Sequence, residues 1–160
     1  LLAYLFWHRP RPGVDVAEYE EAQRGFHVRL EVESACFRVD QLPFDDGPGY
    51  EDWYLIEDWA ALGALNVTAV DPVHRPDHDR AAAMAAEGWG GIYASVQGPA
   101  SIPAQARWLH KPGGQSTLDF LAGIEAGASI WQRQLVLGPA PEFCVASEED
   151  APREDRRARL

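Results

Sequence analysis

The first seven residues, LLAYLFW, are apolar at both phases of a strand alternation. In extended backbone Leu2, Tyr4 and Phe6 point one way, and Leu1, Ala3, Leu5 and Trp7 point the other. A strand apolar on both sides has to be covered on both, by helices on one face and by something else on the opposite one. Pro10, Pro12 and Gly13 close the strand. Asp15, with Glu18 at the third position after it, predicts a capped helix. Val16, Tyr19, Ala22 or Gln23, Phe26 and Leu30 recur at the spacing of one buried helical stripe. A strand feeding a helix in this way opens a βαβ unit.

The same rules read the rest of the chain. Ala35 to Leu42 alternates as a second strand, and PFDDGPG is a turn-rich connection. Tyr50 to Trp59 is a third strand that passes into a helix near Asp58, with Trp59, Leu62 and Leu65 on its stripe. Asp77 is expected to cap an Ala-rich helix that ends at Gly88, Gly90 and Gly91, before a fourth strand in GIYASVQG. The order is βαββαβ. After the linker-like GPASIPAQ come a strand at Arg107 to His110, a helix capped by Ser116 and Asp119, a strand from Ser129 to Leu137, and a short edge strand at Phe143 to Ala146. His8-Arg9-Pro10 is echoed by His110-Lys111-Pro112, and Ala17-Glu18-Tyr19 by Leu118-Asp119-Phe120. The expected layout is a first unit over 1–98, a partial βαβ repeat on the same core over 99–146, and a polar tail over 147–160.

Charge narrows the function. The net charge is −11, and Lys111 is the single lysine, which argues against nucleic acid and acidic membrane surfaces. No apolar run is long enough to span a bilayer, and the opening reads as a strand instead of a signal peptide. The two cysteines, Cys36 and Cys144, make no disulfide framework, so a cytoplasmic location is expected.

FWHRPRPGVDVAEYEEAQRGFHVRL and GYEDWYLIEDWAALGAL resemble the EthD-like branch of the dimeric α/β-barrel superfamily. The matching features are the Arg9-Pro10-Arg11-Pro12-Gly13 turn, the helix start Val16-Ala17-Glu18-Tyr19, and the helix end His27-Val28-Arg29-Leu30. The resemblance implies an α+β fold: a ferredoxin-like antiparallel sheet with helices on one face. Its bare face usually packs on a second subunit as a homodimer and encloses a pocket for a small hydrophobic molecule. The extra C-terminal segment is an alternative source of that cover within one chain, or an extension of the sheet edge.

The activity implied is that of a cofactor-free oxygenase or cyclase acting on a hydrophobic or aromatic small molecule. The alternative is a non-catalytic binding or accessory protein of the same fold. His27 is the first candidate for moving a proton, since an imidazole titrates near neutrality. His8 and His110, at strand ends before proline turns, are further catalytic candidates. Arg9 and the aromatics Tyr4, Trp7, Trp53, Tyr93 and Trp108 are candidate ligand contacts, the alternative for the aromatics being core and interface. His74 and His78 have Pro76 between them and so share no regular helical face; no metal and no cofactor are expected.

Overall fold

The first strand, β1 (Leu2–Pro10), lies inside an eight-stranded sheet. The computed structural model describes residues 1–136, 138–146 and 157–160, with Val136 described in its backbone alone. In chain order the elements are β1, α1 (Val16–Arg29), β2 (Ser34–Val39), β3 (Gly49–Ile56), α2 (Trp59–Thr68), α3 (Arg75–Met84), β4 (Ala85–Gln97), β5 (Ala106–Leu109), α4 (Thr117–Ala122), β6 (Ser129–Val136), β7 (Phe143–Ala146) and β8 (Arg157–Arg159). The strands run in the order β5-β7-β6-β4-β1-β3-β2-β8, each antiparallel to its neighbours. This is a mixed α+β protein, and none of its described helices is long and apolar enough to cross a membrane.

The caps are those the local chemistry dictates. Asp15 accepts from the Glu18 amide, Asp58 from the Ala61 amide and Ser116 from the Asp119 amide, each satisfying one orphan N–H of a first helical turn. The cap expected at Asp77 sits earlier: His74 is the N-cap residue and Asp77 falls in the first turn. Pro76, which has no N–H to lose, is suited to that opening turn.

β1 is two-faced, as its alternation requires. Leu2, Tyr4 and Phe6 pack on the helix side with Tyr54, Ile56, Leu65 and Ile92. Ala3, Leu5 and Trp7 join a second core with Phe37, Trp53, Tyr93, Trp131 and Cys144. That second core shows the curl of the sheet. β3 and β5 are five positions apart in the strand order, which in a flat sheet is roughly 24 Å. The Trp53 and Trp108 rings are nevertheless 6.2 Å apart. The sheet therefore wraps round, and its own later strands fill the face opposite the helices. Of the two sources of cover that the sequence leaves open, a second subunit or the C-terminal segment, the latter packs on this face.

The C-terminal segment joins the same sheet through the β4–β6 pairing. β5 and β6 flank β7, antiparallel to both, just as β1 and β2 flank β3.

Three expectations are corrected. Gly88, Gly90 and Gly91 do not end a helix; they lie inside β4, which starts at Ala85. The reason is close approach of β1: a Cβ at Gly88 would lie 2.4 Å from Phe6 Cζ, and one at Gly90 3.2 Å from Tyr4 Cε2. Phe143–Ala146 is an interior strand, because β5 pairs on its far side. Of the expected polar tail, 147–156 lies outside the described residues, but 157–160 is not loose. β8 pairs with β2, and the Leu160 amide donates to the Cys36 carbonyl. Leu137, expected to end a strand, also lies outside the described residues.

Candidate active site

Three neighbouring strands present polar groups to the helix side at one level. Register pairs Cys36 of β2 with Asp52 of β3, and Asp52 with Phe6 of β1; His8 follows two residues along β1, on the same face. The α1 stripe closes over them with Tyr19 and Gln23, and both are buried.

Asp52 is the hub. It is 2% exposed, and a buried carboxylate persists only when other groups compensate its charge. His8 Nε2 lies 3.2 Å from Oδ2, His27 Nε2 lies 3.2 Å from Oδ1, and the Tyr54 hydroxyl donates to Oδ2 over 3.1 Å. Burial alone pushes the Asp52 pKa up, but the flanking imidazoles outweigh it and hold the carboxyl far below its usual range. Tyr19 meets His8 Nδ1 at 2.5 Å, leaving Nε2 to the carboxylate. The Tyr54 ring stacks on His27, centroids 4.9 Å apart, which fixes the plane of that imidazole. Burial, followed by the charge of Asp52, raises the pKa of Tyr54 and Tyr19 and keeps both as phenols.

This cluster forms part of the floor of a cavity of about 420 Å³ between the sheet and helices α1 to α3. His8, Asp52, Tyr54 and Gln23 line its polar part. Its other walls are largely apolar, including Tyr4, Phe6, Phe26 and Leu65, with Ala82 and Ala86 exposed at its mouth. A pocket of this size with a few convergent polar groups has the form of a small-molecule site.

The sequence candidates separate on this geometry. His8 and Tyr4 line the cavity. His27 is not among the lining residues; it stands behind Asp52 and braces it. His110 is exposed at the end of β5, and the likeness of its sequence to that of His8 does not bring the two histidines to one rim. Trp7, Trp53, Tyr93 and Trp108 belong to the core on the other side of the sheet. Arg9 pairs with Asp45 at 2.6 Å and with Glu87, a lining residue, at 3.5 Å. His74 bonds Asp71 in the turn before α3, and His78, which lines the cavity, bonds its neighbour Asp79 within α3.

Sequence reasoning missed Asp52, Tyr19, Gln23 and Cys36 as members of a site, and offered Tyr54 only as one of the aromatics that line a pocket or fill the core. A signal for Asp52 was present: YEDWYLI places Glu51 and Asp52 on opposite phases of a strand otherwise apolar on both. Charges so placed need buried partners on each face.

His8, Cys36 and Asp52 bring possible metal-ligand atoms within 4.8 Å of one another. The fit to a cation is poor. Burial and the adjacent Asp52 push the Cys36 thiol well up, so it keeps its proton, and Tyr54 already occupies Asp52. The arrangement instead suits the holding and moving of a proton between an imidazole and a carboxylate. No protein-family model, curated protein or solved structure matches the chain.

Proposed function

We propose that this protein is a small enzyme that removes or relocates a proton on a hydrophobic molecule held in the cavity, in the manner of a cofactor-free oxygenase or cyclase. One observation carries the reading: the His8–Asp52 pair sits on the floor of a cavity whose walls are otherwise largely apolar. Both reaction types begin by taking a proton from an activated substrate position, and an imidazole beside a carboxylate is suited to that step. In this reading His8 is the catalytic residue. Tyr19 and His27 are positioning residues, acting on His8 and on Asp52.

The EthD-like, ferredoxin-like assignment is part of the same proposal. Its support is the order β4-β1-β3-β2 within the sheet, reached by a βαββαβ succession of strands and by helices on one face. The functional unit in this reading is the single chain, since its inner face is filled from within; sedimentation equilibrium tests that against a homodimer. Two free, buried cysteines on opposite faces of the sheet suit a reducing, cytoplasmic setting.

The test is metabolite profiling. Wild-type protein and His8→Gln are incubated with a hydrophobic cell extract, and the extract is compared before and after by mass spectrometry. The expected result is a compound consumed and a product formed by the wild type and not by the variant. A compound retained by both proteins and converted by neither would sink the enzymatic reading and make this a binding protein.

A further inference from the structure

We infer that the cavity is built for an uncharged aromatic molecule presenting a hydroxyl group to Asp52 and His8, and that it turns carboxylates away. The inference rests on the cavity being the substrate site, and it adds the chemical class of the occupant.

Among the described residues the lining includes no lysine and no arginine; its other imidazole besides His8, that of His78, bonds Asp79, and Asp52 and Glu87 both contribute carboxylates. An entering carboxylate would lose its hydration without gaining a free cation. Any positive charge on His8 is already matched by Asp52 at 3.2 Å. The guanidinium of Arg9, which does not line the cavity, pairs through Nη1 with Asp45 and Glu87.

A hydroxyl suits the floor for a second reason. His8 Nε2 and Asp52 Oδ1 are buried, and neither has an aligned hydrogen-bond partner, although each stands 3.2 Å from an oppositely disposed group. Buried polar atoms of this kind carry unmet hydrogen-bonding capacity. A hydroxyl both donates and accepts, so one group can give its proton to the carboxylate and take one from the ring. A carboxylate ligand only accepts, and would face Asp52 acceptor to acceptor.

The walls decide the remainder of the ligand. Tyr4, Phe6, Tyr54 and Phe26 supply ring faces and edges around the space, with the Tyr4 and Tyr54 rings stacked 5.7 Å apart. Such surfaces favour a flat apolar body.

The experiment compares two probes of one ring framework, 2-naphthol and 2-naphthoate, by equilibrium dialysis at neutral pH against wild type, Asp52→Asn and Ala82→Phe. Ala82 lines the cavity and is exposed, whereas the floor groups are buried. The expected result is saturable binding of 2-naphthol, about tenfold or more tighter than 2-naphthoate. Ala82→Phe should abolish it, and Asp52→Asn should narrow the gap between the probes. Naphthoate binding as tightly as naphthol to the wild type would overturn the inference and leave the substrate cavity standing. No binding of either probe, or naphthol binding untouched by Ala82→Phe, would overturn both. The wild-type comparison decides the matter even if Asp52→Asn fails to fold.

Discussion

Glu51 and Asp52 are consecutive carboxylates, each 2% exposed, and the sheet passes between them. Asp52 faces the helices and is held by two histidines and a tyrosine. Glu51 faces the curled interior, where the indole N–H groups of Trp7, Trp53 and Trp108 donate to it at 3.0, 2.6 and 3.0 Å. Arg157 Nη2 lies 2.6 Å from Glu51 Oε1, with its guanidinium 3.6 Å from the centroid of the Phe37 ring. One strand thus supplies a carboxylate to the histidine cluster on one side and a structural anchor to the other.

The anchor gives the first prediction. Glu51→Ala strands a buried guanidinium and three indole donors, which should cost about 3–5 kcal/mol. Replacing both partners, Glu51→Gln with Arg157→Met, should cost less than the sum of the single changes, because no charge is then left alone. Urea titrations of the wild type, Glu51→Gln, Arg157→Met and the double variant measure the coupling, and one of Glu51→Ala measures the first cost. Strict additivity would show that the pair is not coupled.

Asp52 gives a pH dependence. Its folded pKa is depressed, chiefly against the upward pull of burial, by His8 and His27. Its contribution to stability is therefore complete above the ordinary carboxylate value of 3.8 and is lost as pH falls below it. Melting temperature plotted against pH should fall away on the acid side in the wild type and do so less steeply in Asp52→Asn. Equal acid limbs in the two proteins would contradict the assignment.

Tyr93 tests the opposite end of the scale. Burial, with Cys144 adding to it, raises its pKa above the ordinary 10.0, and its hydroxyl donates to the Pro141 carbonyl at 2.7 Å. A raised folded pKa means that its stabilisation is complete below pH 10 and disappears as pH rises. Tyr93→Phe leaves that carbonyl unpaired and should cost about 1–3 kcal/mol at neutral pH. The penalty should shrink in strongly alkaline buffer, as read by chemical denaturation at a series of pH values.

His27 is predicted to act through Asp52 and not on the substrate. Once a converted compound is known, His27→Gln should lower kcat while leaving KM within a few-fold, whereas a direct substrate contact would show in both. The pH profile of kcat should shift in the same variant.

Much of the fold is legible in the residues. The caps at Asp15, Asp58 and Ser116 and the two-faced character of Leu1–Trp7 follow from local chemistry. The start of β4 did not, because Ala85 and Ala86 continue an alanine-rich helical run, and the glycines after them read as punctuation. Their strand role depends on Tyr4 and Phe6, some eighty residues away. The site was half visible. His8 and His27 were named, but their common partner is brought to them by strand register, which no local pattern encodes. The curl that lets Trp108 reach Glu51 is likewise a property of the whole sheet.

Gly88 sets one dimension of the cavity. The Phe6 ring lies where a Cβ on Gly88 would be, and Phe6 is itself a wall of the cavity. Any side chain introduced there displaces that ring toward the empty space, so Gly88→Ala should shrink the room for a guest from the sheet side while leaving the helices untouched. The dimensions of the chamber are thus governed in part by a lining position that has no side chain of its own, and acts on the space through the ring of its neighbour on β1.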